Sequence, residues 1–258
     1  MTKKEIYAKH GIVYDGKHII SPLGPVTELL QIGNGKLGKT VLTYSTLPGT
    51  GVYHAVLNGI DYDVKGTCKC DCTGCYAKTG HYNHQSVIDA LAFRTVLIRE
   101  YPEWTCEAIK AQIEYLMQET PRLELRISAA GDIEAVAVPV WKEIVRTYPT
   151  LCTWTYTKNS ENETIFDDFK NSNVVKSIIP GHGLNFGHCG YIIDTYKALK
   201  AEGKRVYICR CGIDKNQHCE RCGVCATYEY VLFVKHSTSY RAEKDPRYAE
   251  LVELINAQ

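Results

Sequence analysis

The sequence carries almost no net charge: 30 Lys+Arg stand against 29 Asp+Glu, a formal +1 over 258 residues. That balance argues against a strongly basic nucleic-acid binder and leaves room only for a local basic patch. Long apolar runs are missing too. The longest, Ala135 to Trp141, is far too short to span a bilayer. Met1-Thr2-Lys3-Lys4-Glu5 leads into no extended apolar stretch, so no secretory signal peptide is expected. The expectation is a soluble cytoplasmic chain with no membrane partner. Gly33, Gly35 and Gly38 lie around Lys36 and Lys39 but lack P-loop spacing, and a turn-rich lead-in explains them better. Phenylalanine is scarce, five residues against 18 tyrosines. Such an excess suits stacking on nucleic acid, yet without surplus positive charge amphipathic packing explains it as well. Hydrophobic content of 45% with 23% charged residues excludes intrinsic disorder. The length suits one sizeable domain with a full core.

Cysteine is abundant, with 12 residues, and unevenly placed. Cys68, Cys70, Cys72 and Cys75 fall within eight positions, and Cys209, Cys211, Cys219, Cys222 and Cys225 form a second group. In a reducing compartment, crowded cysteines are more often metal ligands than disulfides. Cys106 and Cys152 sit on apolar patterns and read as buried core thiols. Cys189, at the start of an expected helix, stays open.

The chain alternates strand and helix patterns. Residues 1–40 read as an irregular lead-in. Val41–Ser45 reads as a strand, residues 51–64 as a short hairpin, and the first cysteine group as a loop over residues 66–77. Helical spacing follows at Ile88–Val96 and Ile109–Leu116, then a strand at Leu123–Ile127. Ile133 to Val145 forms an apolar helical stripe that Pro139 either kinks or starts late. Leu151–Thr157 reads as a strand, Thr164–Lys170 as a short helix and Asn173–Ile179 as a strand. Ile192–Leu199 reads as a helix, with strands at Arg205–Ile208 and Tyr230–Val234. Asp245 as N-cap and Pro246 at the first helical position open a final helix. No glycine-rich dinucleotide fingerprint follows the first strand. The fold class expected is α/β: a (β/α)6-type partial barrel of parallel strands over 41–208, a cysteine-rich loop over 209–229, and a last strand and helix over 230–258. Chemistry in such barrels gathers at the C-terminal strand ends, which places both cysteine groups at one edge.

Cys219-x2-Cys222-x2-Cys225, completed by Cys209 or Cys211, with Cys189 a remoter candidate, suits an iron–sulfur cubane. Cys209-x-Cys211 also supplies a pair of the kind that structural zinc uses, so zinc stays open. Cys68-x3-Cys72-x2-Cys75 resembles the cysteine motif of the radical S-adenosylmethionine (SAM) superfamily. The resemblance implies a [4Fe–4S] cluster on Cys68, Cys72 and Cys75 with one iron open to SAM. It further implies reductive cleavage of SAM to a 5′-deoxyadenosyl radical, and a flavodoxin- or ferredoxin-like electron donor. The second group would then hold an auxiliary cluster. Ala130-Gly131-Asp132 resembles the superfamily's Gly-Gly-Glu-like motif for the SAM amino group, while an ordinary helix N-cap is the plain reading of Asp132. Gly74 stands where an aromatic residue is usual, and the aromatic Tyr76 follows Cys75; Cys70 is an extra thiol. Tyr156 and Lys158, ending a strand, are candidates to contact the substrate or the SAM carboxylate. The expected cofactor-binding set is thus Gly131, Asp132, Tyr76 and Lys158.

The chain also resembles bacteriophage proteins that carry Asn-x-Lys-Leu-Gly-Lys (Asn34–Lys39), Cys-Tyr-Ala (Cys75–Ala77) and Ser-x-x-Gly-Asp (Ser128–Asp132). That likeness implies no particular reaction. A zinc-stabilised phage interaction protein, with or without a nucleic-acid partner, and an iron–sulfur enzyme that does not use SAM are the alternatives. His54, His81 and His84 flank the first group and read as solvent-facing loop residues or as acid/base groups. His182, Asn185 and His188 follow a strand and are candidates to line a pocket. No motif names a substrate.

Overall fold

The computed structural model describes residues 1–33, 37–72, 75–178, 185–210, 213–214, 219, 222–234 and 241–258. Its elements run α1 (Lys3–Lys9), β1 (Ile19–Ser21), β2 (Gly24–Val26), β3 (Gln31–Ile32), β4 (Val41–Tyr44), β5 (Val52–Leu57) and β6 (Ile60–Lys65). Then come α2 (Gln85–Glu100), α3 (Pro102–Met117), β7 (Glu124–Ile127), α4 (Val138–Thr147), β8 (Cys152–Tyr156) and β9 (Ser172–Val175). The chain closes with β10 (Phe186–Gly187), α5 (Cys189–Ala201), β11 (Val206–Cys209), β12 (Tyr230–Val234) and α6 (Tyr248–Asn256).

Four strands pair in parallel and in chain order, β4-β7-β8-β9, with β3 antiparallel on the outer edge. Tyr44, Ile127 and Thr155 share one register line, so the chain after each strand leaves from a common edge. Parallel strands need a long crossover connection, usually a helix. Here α2 and α3 join β4 to β7, and α4 joins β7 to β8. Pro102 and Pro139 stand in the first turns of α3 and α4, where a missing N–H costs nothing. Pro139 therefore starts its helix rather than kinking it. Leu42, Tyr44, Leu125 and Ile127 bury one face of this sheet under the helices, and Trp141 meets Tyr44 edge-on with centroids 5.1 Å apart.

A second, parallel sheet has the order β10-β12-β11 and its own apolar core with α5 and α6. Among the described residues no ladder joins the two sheets. They meet through Lys176 N donating to Glu229 O (2.8 Å) and through Asn185, whose amide spans Lys176 O (2.8 Å) and Val231 O (3.2 Å). Val175 of β9 packs with Cys209 and Val231 where the two sheets adjoin. Among the described residues no helix is long and apolar enough to cross a membrane.

Several local expectations are corrected. Residues 1–40 are not an irregular lead-in. α1 opens with a Thr2/Glu5 capping box, and Ile6, Tyr7, Leu29 and Leu30 are buried. His10 reaches Glu107 and Glu114 of α3 at 2.8 and 2.9 Å. Residues 163–168 form turns rather than a helix. The strand expected over 173–179 stops at Val175, and residues 179–184 lie outside the described residues. Asp245 does not cap α6. Its carboxylate accepts from Arg247 N at 3.0 Å, making a turn before a helix that begins at Tyr248. The expected hairpin is present, because Asn58 and Gly59 both take positive φ (50° and 84°), as a two-residue hairpin turn requires.

Gln112 of α3 is the polar anchor of the N-terminal region. Its side chain accepts from Leu29 N (3.1 Å) and Leu30 N (2.9 Å) and donates to Leu30 O (2.7 Å). Gln112→Leu would strand these buried groups, each worth about 1–3 kcal/mol. A loss of at least ~2 kcal/mol is expected from urea denaturation. An unchanged midpoint would show that this tether carries no stability.

Candidate metal centres

The first cysteine loop is tied at its root to the common edge of the parallel strands. Thr67 N and Oγ1 both donate to Leu47 O (2.9 and 3.0 Å), and Thr67 Oγ1 accepts from Asp132 N at 2.8 Å. Cys68 N donates to Gly49 O at 3.1 Å. Gly131 has φ +80°, and a Cβ there would lie 2.2 Å from Thr46 Oγ1 and 2.5 Å from Thr67 Oγ1, so only glycine fits against the loop root. Arg99 of α2 grips Glu134 through two contacts (2.7 and 2.9 Å) and reaches Gly66 O at 3.4 Å. Further along the loop, Asp71 holds Thr50 and Lys78, and Lys69 pairs with Glu161. These last pairs are exposed and contribute little stability.

Asp132, 5% exposed, is not a helix cap. Its carboxylate accepts from Ile133 N (2.8 Å), Lys158 N (3.1 Å), Thr157 Oγ1 (3.1 Å) and Asn162 Nδ2 (3.2 Å). Burial raises its pKa, and these donors pull against the rise. Lys158 is half-buried beside the thiols. Burial lowers its pKa, but Cys72, Cys68, Cys75 and Asp132 outweigh burial and the net direction is upward. Cys70 Sγ lies 3.6 Å from Cys72 Sγ. Burial pushes the Cys68 thiol up to about 11. Burial, with the Cys70 contact added, pushes Cys72 up to about 12 against the pull of Lys158. Gly131, Asp132, Lys158 and the three motif cysteines therefore share one neighbourhood. Tyr76 lies in the short 3-10 turn Tyr76–Lys78, and its side chain falls outside the described residues. A cleft of about 730 Å³ adjoins this neighbourhood and is lined by Thr50, Cys68, Lys69, Asp132, Asn159 and Asn162 among others.

The second group lies elsewhere. Cys209, Cys219, Cys222 and Cys225 line one small pocket together with Trp154, Tyr207 and Val231. Glu124, the first residue of β7, lines it too. This segment thus crosses the sheet face rather than sharing the C-terminal edge with Cys68–Cys75, which corrects the expected common edge. Tyr156 Oη donates to Cys225 Sγ at 2.7 Å, and Asn173 Nδ2 donates to Cys225 O at 2.8 Å. Cys211, the alternative fourth ligand, lies outside the described residues.

Among the described residues, no three His, Cys, Asp or Glu side chains converge closely enough to hold a metal ion as they stand. The donor chemistry still fits soft metals: three thiols beside one ammonium at the first loop, and four thiols around an apolar pocket at the second. The remaining candidates do other work. Cys106 is buried in the main core and Cys189 in the second, while Cys152 is only half-buried at the start of β8. His54 is exposed between Asp61 and Asp63, and His81 stacks on His84. Asn185 staples backbone between the sheets, His188 is exposed before α5, and His182 lies outside the described residues. Thr67, Thr157 and Asn162 organise the first site without having been singled out. The one signal for Thr67 is its place directly before Cys68.

A family model described as Gene product 88 matches residues 28–222, which agrees with the likeness to bacteriophage proteins. No curated protein and no solved structure matches the chain.

Two predictions arise from this geometry. Thr67→Val removes the acceptor for Asp132 N and a donor to Leu47, and a loss of about 1–3 kcal/mol is expected in thermal or urea unfolding. The raised pKa values of Cys68 and Cys72 keep both thiols protonated near neutrality, so ligation must expel protons. Cobalt(II) titration followed by thiolate absorption should show weaker binding as pH falls. The expected slope is about tenfold per pH unit for each proton displaced. A pH-independent affinity would exclude these thiols as ligands.

Proposed function

The chain belongs to the gene product 88 family, and we propose that it is an iron–sulfur enzyme of radical-SAM type working in the reducing cytoplasm. In this reading the two sheets are walls of a (β/α)6-type partial barrel. Cys68, Cys72 and Cys75 hold a [4Fe–4S] cluster with one iron open to SAM. Cys219, Cys222 and Cys225, with Cys209 or Cys211, hold an auxiliary cluster. One observation carries the reading. Through Thr67, the C-x3-C-x2-C loop is bonded onto the Gly131–Asp132 turn at the edge where parallel strands end, with Lys158 beside the thiols.

When bound, the cluster and SAM supply reductive cleavage of a sulfonium bond, with the electron drawn from a flavodoxin- or ferredoxin-like donor. The chain's own residues bind and orient. Gly131, without a side chain, lets Thr46 and Thr67 close on the turn whose backbone would face a SAM amino group. Asp132 keeps that turn rigid, because its lone pairs are already taken by Thr157, Lys158 N and Asn162. Lys158 supplies a fixed positive charge for a carboxylate. The 730 Å³ cleft beside Cys68 offers room for a ligand.

A second reading has its own support. With Cys70 close to Cys72, and four thiols around one pocket, both groups also suit closed tetrahedral thiolate sites of a zinc-stabilised, non-enzymatic protein. Anaerobic purification separates the two. Iron with equimolar sulfide, a brown visible spectrum and dithionite-dependent formation of 5′-deoxyadenosine are expected. Cys72→Ala should lose one cluster's share of iron and all SAM cleavage. Stoichiometric zinc in a colourless protein would establish the second reading. Clusters without SAM cleavage would remove the SAM step alone.

A further inference from the structure

The sheet face beneath the second cysteine segment carries a cation, a ring and a thiol in series. Arg126 of β7 sits over the Tyr156 ring, its guanidinium carbon 5.1 Å from the centroid. The Tyr156 hydroxyl, at the end of β8, donates to Cys225 Sγ at 2.7 Å. The same cysteine is held from below by Asn173, which donates to Cys225 O and Tyr228 O at 2.8 Å each. Cys225 is thus fixed by both its main chain and its sulfur to adjacent strands of the first sheet. A phenol is protonated at neutral pH, so the hydroxyl has a hydrogen to donate to the sulfur.

A hydrogen bond to a ligating sulfur draws electron density from it and favours the more electron-rich state of the metal centre. A guanidinium over the ring face sharpens that effect by making the phenol a stronger donor. The apolar lining from Trp154, Val224 and Val231 keeps the local dielectric low, where such a dipole acts most strongly.

We infer that Tyr156, backed by Arg126, is a positioning residue that raises the reduction potential of the centre ligated by Cys225. The inference rests on the iron–sulfur reading of that cysteine group.

The test is an anaerobic spectroelectrochemical titration of the full-length, iron-loaded protein, comparing wild type with Tyr156→Phe and Arg126→Gln. Tyr156→Phe should keep its iron and sulfide. One of the two redox waves should move down by about 59 mV, a tenfold change in the oxidised-to-reduced ratio of a one-electron couple. Arg126→Gln should move the same wave in the same direction by a smaller amount, and it carries the test if Tyr156→Phe does not accumulate as folded protein. Unchanged potentials in loaded variants would overturn the inference alone. A shift confined to the wave that Cys72→Ala abolishes would overturn it as well, since that wave belongs to the first loop. Wild-type protein without iron and sulfide would overturn the iron–sulfur reading, and the inference with it.

Discussion

Burying a carboxylate costs several kcal/mol unless its lone pairs are taken up, and at Asp132 that constraint organises the edge where the parallel strands end. The acceptors are filled from two directions. Ile133 N lies on its own chain, while Thr157, Lys158 N and Asn162 come from the turn after β8. The backbone N–H of Asp132 is spent on Thr67, immediately before Cys68. Three loops, those after β6, β7 and β8, are therefore locked through one residue. Removing any one donor leaves the others in a low-dielectric site with an incompletely satisfied charge. That arrangement explains why Gly131 must lack a side chain: the lock closes only if Thr46 and Thr67 approach the turn within the space a Cβ would fill.

The two cysteine segments sit in different electrostatic surroundings as a consequence. Cys68–Cys75 lie at an edge beside Lys158 and a polar cleft, where water and a charged ligand can approach. Cys209, Cys219, Cys222 and Cys225 lie over a sheet face, against Trp154 and Val231, with a phenol aimed at one sulfur. A cation-flanked thiol set beside an open cleft suits a centre that must bind something. A thiol set against an apolar face, with a directed hydrogen bond, suits a centre that exchanges electrons or braces the fold.

Much of the scaffold could be read from residue patterns, and the failures have physical causes. Parallel pairing of β4, β7, β8 and β9 followed from strands separated by helical stretches. The N-terminal 40 residues looked irregular because their strands are two or three residues long, too short for a period of two to register. Their burial depends on Gln112, about 80 positions away in sequence. Asp132 and Lys158 stood out in the sequence, but Thr157 and Asn162 did not, since a threonine on a strand and an asparagine in a loop are ordinary there. The crossing of the second cysteine segment over the sheet face was illegible for a related reason. It rests on long-range contacts such as Tyr156 with Cys225, 69 residues apart.

Charge balance bears on which species the first loop suits. Lys158 interacts with Cys68, Cys72 and Cys75, and Lys78, paired with Asp71, also interacts with Cys75. Four thiolates around a divalent ion carry two net negative charges, whereas three thiolates on a doubly positive cubane carry one. Asp132 adds one negative charge in either case, so the three-thiolate arrangement leaves the smaller uncompensated charge. Cys70, 3.6 Å from the Cys72 sulfur, is placed to hydrogen-bond it without itself ligating. Charge balance alone therefore suits three ligating cysteines better than four.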